Sequence, residues 1–159
     1  MDLKFALDNA VIPALKLLPP HLDTPKARVL TLAIGLQESR FEYRVQMGNG
    51  PAHSFWQMEE GGGVKGVCRH HDSIELARLI CRARDCNFDP HAIWAQLAND
   101  DILGAAFARL LLLTDPQPLP EIGDAPASWD YYQRNWRPGK PRRDTWDGLY
   151  ARAVALVQS

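Results

Sequence analysis

This sequence has few cysteines, no long apolar run and almost no net charge. There are three cysteines among 159 residues, and a small odd number of cysteines does not indicate a disulfide framework. No stretch approaches the ~20 consecutive apolar residues that cross a bilayer. The formal net charge is −1, so no excess of positive charge attracts nucleic acid or an anionic membrane surface. We therefore expect neither a nucleic-acid partner nor a membrane span.

The amino-terminal segment MDLKFALDNAVIPALKLLPP lacks the features of a secretory signal peptide. Its first charged residue is acidic, polar side chains at Lys4, Asp8 and Asn9 interrupt its apolar positions, and no small-residue cleavage site follows. Together with the low cysteine content, this indicates a protein made in a reducing cytoplasm without a signal peptide.

The sequence does contain a series of helical patterns. Hydrophobic residues make up 46% and charged residues 23% of the chain, which is typical of a globular domain. Apolar periodicity, capping residues and prolines predict helices over residues 3–18, 25–39, 73–85, 90–98, 101–114, 127–136 and 144–158. Residues 40–71 are rich in glycine, proline and aromatic residues and predict a long loop, with room for a small β-hairpin in the 43–60 region. We expect one all-α domain over residues 1–159.

The most apolar of these helices ends in a carboxylate. Within LAIGLQES the apolar positions continue to Leu36, and Glu38 follows one turn beyond Ile34. A hydrophobic wall beside a carboxyl group penalises its charged form and raises its pKa, as a general acid at neutral pH requires. The alternative is a solvated glutamate in the last helical turn, paired with Arg40 or Arg44.

The loop that follows has the composition of a carbohydrate-binding groove. The segment GNGPAHSFWQMEEGGGVKGV combines glycines for unusual backbone turns with Phe55, Trp56 and Gln57. Sugar rings stack on flat apolar faces, and amide groups bind their N-acetyl and hydroxyl substituents. Packing in the core is the alternative for the aromatic residues. Glu59 and Glu60 are the candidates for a second carboxylate, although solvated loop charges are the more common case.

These residues resemble the lysozyme-like superfamily, especially the soluble lytic transglycosylases and related bacteriophage proteins. In that family a buried helix ends in Glu-Ser, and Glu38-Ser39 matches this element. A Gly-Leu-Met-Gln or Gly-Leu-Trp-Gln segment follows there, and SFWQ, from Ser54 to Gln57, is similar to it with serine in the place of glycine. The resemblance covers about residues 30–67 and implies a lysozyme-like helical fold.

The resemblance also implies roles for individual residues. Glu38 would be the catalytic acid, Ser39 would orient it, and Gln57 would contact an N-acetyl sugar, with Ser54, Phe55 and Trp56 beside it in the groove. The transglycosylases carry an Ala-Tyr-Asn-Ala-Gly segment whose tyrosine approaches the glutamate. The nearest candidates here are Tyr131 or Tyr132 together with Asn135, although their spacing and order differ.

The implied reaction is cleavage of the β-1,4 bond between N-acetylmuramic acid and N-acetylglucosamine in peptidoglycan, without a cofactor. A lytic transglycosylase achieves this with one glutamate. A lysozyme-type hydrolase needs a second carboxylate, and a catalytically silent virion or accessory protein would only bind glycan; both alternatives stay open. The expected partner is a peptidoglycan glycan strand, and other phage proteins could be further partners. The resemblance implies a phage or prophage protein, made in the bacterial cytoplasm, that acts at the cell wall or in the virion.

Two other clusters admit different interpretations. The first consists of Cys68, His70, His71, Cys81 and Cys86. These residue types could suggest a zinc site, but their spacing is poor for zinc ligands, and burial in the core explains Cys81 better. We therefore expect no metal site. The second is a basic cluster whose side chains either are solvated or face the carboxylates of peptidoglycan. It consists of Arg134, Arg137, Lys140, Arg142 and Arg143.

Overall fold

A helical segment with one irregular turn opens the chain. The computed structural model describes residues 1–159, and its first elements are helix α1 (Leu3–Ala6), a π-helical turn (Leu7–Val11) and helix α2 (Ile12–Lys16). Proline inside a helix has no N–H for the carbonyl four residues back and clashes with it. The wider π turn accommodates Pro13 without ending the segment. A short 3-10 helix (Pro20–Leu22) follows.

Helix α3 (Pro25–Ser39) passes through the centre of the molecule, as its apolar sequence predicts. The Thr24 hydroxyl accepts a hydrogen bond from Ala27 N–H, and proline occupies the first helical position. Every residue from Val29 to Leu36 is buried. The helix packs against α7 (Asp101–Leu113) and α9 (Arg143–Val157). The predicted bounds of α3 are confirmed.

The segment 40–71 is only partly a loop. Strands β1 (Ala52–His53) and β2 (Met58–Glu59) form the small antiparallel hairpin expected in this region. A π-helical turn (Glu60–Val64) and helix α4 (Lys65–Arg69) then follow, so the prediction of a loop is wrong for residues 60–69. Three consecutive glycines hide the helical pattern there, although Val64, Val67 and Cys68 share one buried face.

The remaining helices agree with the sequence pattern to within about three residues at each end. They are α5 (Ile74–Ala83), α6 (Pro90–Leu97), α7, α8 (Ala125–Trp136) and α9. Aspartates cap three of them, because the carboxylates of Asp89, Asp100 and Asp124 accept backbone N–H groups of the first turn. One contiguous hydrophobic cluster joins the helices, and the chain is mainly helical. None of the helices combines the length and apolar character needed to cross a bilayer.

Candidate active site

Glu38 lies at the carboxyl end of α3, in the wall of a groove. Its side chain is largely buried, and the groove has a volume of about 590 Å³. The Tyr132 hydroxyl donates a hydrogen bond to Glu38 Oε1 at 2.6 Å. The Tyr43 hydroxyl donates to the backbone carbonyl of Glu38 at 2.9 Å. Both the carboxyl group and the backbone that carries it are therefore held in place.

Burial and the hydrogen bond act on the pKa of Glu38 in opposite directions. Removal of the carboxyl group from water raises the pKa, and the bond from Tyr132 lowers it by stabilising the ionised form. Burial has the larger effect, and the pKa is raised from 4.5 to about 7. Burial and the neighbouring carboxylate also raise the pKa of Tyr132, so this hydroxyl remains a hydrogen-bond donor. At neutral pH Glu38 can both give and take a proton.

Ser39 holds the backbone near Glu38, and its hydroxyl forms no hydrogen bond with the Glu38 carboxyl group. Its hydroxyl donates to the carbonyl of Phe55 at 2.7 Å and accepts the N–H of Phe41 at 3.1 Å. It thereby joins the end of α3 to the turn between β1 and β2. Arg40 and Phe41, which follow, have positive φ angles of 56°, and the Ser39 hydrogen bond stabilises this reversal of the chain. The side chain that does donate a hydrogen bond to the Glu38 carboxyl group is Tyr132.

The expected groove residues Ser54, Phe55 and Trp56 lie in the core, so this part of the prediction is corrected. Their exposed fractions are 0%, 2% and 0%. Ser54 and Gln57 have φ angles of 70° and 50°, and this left-handed backbone directs the aromatic pair inward. Trp56 Nε1 donates to the carbonyl of Thr31 at 2.8 Å. The hydroxyl of Ser54 accepts Trp56 N–H at 3.1 Å, which stabilises a conformation that usually favours glycine.

Gln57 is the one residue of the SFWQ segment that reaches the groove. It is half-buried and lines the groove together with Glu38. Its Nε2 donates to the carbonyl of Ser54 at 2.8 Å, which fixes the amide plane and leaves Oε1 as an acceptor for a ligand. Glycines Gly61, Gly62 and Gly63 form the adjacent wall, where the absence of side chains keeps the groove open.

Helix α8 supplies the opposite wall and the aromatic surface that the loop does not supply. Trp136 is half-buried, lines the groove and donates its Nε1 hydrogen to the carbonyl of Trp56 at 2.8 Å. It stands four residues after Tyr132 and so on the same face of the helix. This spacing is the signal that could have identified Trp136 from the sequence. Asn135 also lines the groove, and its Nδ2 donates to Asp115 and to the carbonyl of Tyr131.

The two candidates for a second carboxylate have different environments. Glu59 is exposed and lines the same groove as Glu38. Glu60 Oε1 lies 2.6 Å from His91 Nδ1, and Glu60 lines a neighbouring cavity. Only Glu59 is therefore placed to act on a ligand held beside Glu38. Burial alone accounts for the raised pKa of Glu38, and no second carboxylate contributes to it.

The cysteines and histidines do not form one cluster. Cys68 and Cys81 are buried, and burial raises the pKa of their thiols to about 11 and about 12, so they remain protonated. A metal ion could instead be held by His70, His71 and Asp72, whose ligand atoms lie within 4.8 Å of one another. Two of these three residues are exposed, and exposed sets of this kind are common without an ion.

Comparison of the chain with protein-family models, with curated proteins and with solved structures yields no match. A functional proposal therefore depends on the groove and on the chemistry of the side chains that line it.

Proposed function

We propose that the chain has a lysozyme-like fold and is a peptidoglycan-cleaving enzyme of the lytic transglycosylase type, of phage or prophage origin. Its substrate is the β-1,4 bond between N-acetylmuramic acid and N-acetylglucosamine. One observation carries the proposal: the largely buried carboxyl group of Glu38 accepts the Tyr132 hydroxyl in the wall of a groove. Its pKa of about 7 suits a group that acts as acid and then as base near neutral pH.

In the first step Glu38 is the general acid. The protonated carboxyl group gives its proton to the glycosidic oxygen while the bond between C1 of the muramic acid and that oxygen breaks. N-acetylglucosamine leaves with a free 4-hydroxyl group. Positive charge develops at C1 and the ring oxygen, and the new carboxylate of Glu38 stabilises it. The Tyr132 hydroxyl keeps the carboxylate in position through its 2.6 Å hydrogen bond.

In the second step Glu38 is the general base. Its carboxylate takes the proton of the C6 hydroxyl group of the same muramic acid, and O6 forms a bond to C1. The product is a 1,6-anhydro ring, Glu38 is again protonated, and no water is consumed. One carboxyl group is sufficient for the whole reaction, which agrees with the absence of a second carboxylate in contact with Glu38.

The lining of the groove supports a glycan as the ligand. Trp136 offers an indole ring, and Gln57 and Asn135 offer amide oxygens beside it. A ring face with a few polar groups at its edge is the usual way in which proteins hold sugars and their N-acetyl substituents. Met58 and Leu111 also border the groove, but they are only 2% and 8% exposed and add little apolar surface.

A lysozyme-type hydrolase is the second candidate, and the position of Glu59 favours it. Glu59 lines the groove with Glu38 and is exposed, so it could activate a water molecule or attack C1 itself. The product would then carry a reducing end in place of the anhydro ring.

Digestion of purified sacculi, followed by mass analysis of the muropeptides, tests these alternatives. Anhydro products support the transglycosylase, and reducing ends with loss of activity in Glu59→Gln support the hydrolase. We expect Glu38→Gln to abolish cleavage and Glu59→Gln to leave it within about twofold, as for an exposed charge. Full activity of Glu38→Gln would refute the assignment of the acid. Binding of sacculi without any product would indicate a glycan-binding protein.

A further inference from the structure

Of the five basic residues near the end of α8, the structure singles out Arg137. The guanidinium group of Arg134 pairs with Asp115 at 2.6 Å. Arg142 pairs with Asp144 at 3.0 Å, and Arg143 with Asp147 at 2.7 Å. Those three cations are therefore already occupied within the protein. The remaining two, Arg137 and Lys140, have no side-chain partner, and only Arg137 lines the groove.

Arg137 also lies where two adjoining cavities meet, so its side chain can contact a ligand that extends from one into the other. It lines the groove that contains Glu38 and the adjoining cavity beyond Pro138, which has a volume of about 550 Å³. Asp130 is the only carboxylate that lines this second cavity, and it forms no ion pair with Arg137. A ligand that leaves the groove in this direction meets an exposed guanidinium group whose donors are all free.

The backbone at Arg137 has a left-handed conformation, as it does at six other non-glycine residues of the chain. Its φ and ψ angles are 50° and 54°, and its N–H caps α8 by donating to the carbonyl of Gln133. Glycine is the usual residue at such a left-handed helix end, because a side chain there costs about 1 kcal/mol. The side chain of Arg137 forms no hydrogen bond or ion pair within the protein, so this arginine is not held at the helix end by internal contacts of its guanidinium group.

We propose that Arg137 binds a carboxylate of the peptide that the muramic acid carries, since attachment of this peptide converts the lactyl carboxyl group into an amide. This inference rests on the proposed function and specifies its substrate: strands with carboxylates are preferred over neutral N-acetylglucosamine strands. A guanidinium group matches a carboxylate with two parallel hydrogen bonds. A neutral strand has no charged group that would offset the free-energy cost of removing water from the guanidinium group.

Calorimetric titration of the Glu38→Gln protein, which leaves strands intact, tests the proposal. The probes are a soluble peptidoglycan tetrasaccharide with its peptides and a chitin tetrasaccharide of the same length. Arg137→Gln should weaken binding of the first about five- to tenfold and leave binding of the second unchanged. Raised salt should reduce the preference of the unaltered arginine protein and not that of the variant.

Two further variants separate binding from folding. Arg137→Gly removes the guanidinium group and also relieves the left-handed strain, so it should melt at an equal or higher temperature while losing the same preference. Arg152→Ala removes an exposed arginine of α9 that lines none of these cavities and should change neither affinity. If both Arg137 variants bind the two strands as the parent does, this inference is overturned and the proposed function stands. If the parent binds neither strand, both are overturned.

Discussion

Replacement of Glu38 by glutamine removes a titrating group while keeping its shape and its hydrogen bond. Gln Oε1 can still accept the Tyr132 hydroxyl, which lies 2.6 Å from Glu38 Oε1. The pKa of Glu38 is about 7 in the folded protein and 4.5 for the free side chain. The difference of about 2.5 units corresponds to about 3 kcal/mol, since one unit is 1.36 kcal/mol. This energy is the cost of ionising the buried carboxyl group.

The sign of the effect follows from proton linkage. Between about pH 4.5 and pH 7 the unfolded chain has released this proton and the folded chain still holds it. The contribution of Glu38 to stability is therefore full below about pH 4.5 and is lost as the pH rises through about 7. The glutamine variant has no such loss. Relative to the parent, it should gain about 3 kcal/mol in free energy of unfolding between about pH 4.5 and pH 8.

Urea unfolding of the two proteins at matched pH values measures this difference, and all shared titrating groups cancel from it. Glu59→Gln is the matched control, because Glu59 lines the same groove with an exposed side chain; its curve should remain parallel to that of the parent. Parallel curves for Glu38→Gln as well would refute the argument that burial holds the proton on Glu38.

Three other substitutions test the hydrogen bond to Glu38, the packing of α3 and an open position of α9. Tyr132→Phe should raise the pKa of Glu38 further, because the lost hydrogen bond favours the ionised form. The fall of the cleavage rate at high pH should therefore shift to a higher pH. An unchanged or lower pH for this fall argues against the role of Tyr132. Gly35→Ala would place a methyl group 2.7 Å from Cε1 of Phe41, which is 1% exposed, and should lower the free energy of unfolding by about 1–3 kcal/mol. Gly148→Ala in α9, with open space around it, should instead raise that energy by about 0.5–1 kcal/mol in the same urea titration.

The helices could be predicted because their signals are local. Thr24, Asp89 and Asp100 each precede a periodic apolar segment and cap it as their side chains suggest. The helical turns at residues 60–69 could not be predicted, because glycine contributes nothing to an apolar pattern. There the decisive energy comes from burial of Val64 and Val67 against the rest of the core, which is a property of the folded chain.

In the groove, sequence reasoning pointed to Glu38, which does line the groove, and misplaced the aromatic surface. Glu38 could be singled out from the sequence because it directly follows the apolar positions of α3. The inward direction of Phe55 and Trp56 depends on left-handed backbone at Ser54 and Gln57. Neither residue is a glycine, so no composition rule reveals that conformation. Trp136 reaches the groove only because α8 crosses the molecule to contact the carbonyl of Trp56, 80 positions earlier in the chain.

The pKa of Glu38 itself combines two opposing causes. Burial of the carboxyl group at the end of α3 would, on its own, raise the pKa further above 4.5 than to about 7. The opposing hydrogen bond comes from Tyr132, 94 positions later. A group that must donate a proton and then recover one requires both forms near neutral pH. The short Glu-Ser motif places the carboxyl group at the end of α3, and the hydrogen bond from α8 lowers its pKa towards the range that the two roles proposed for Glu38 require.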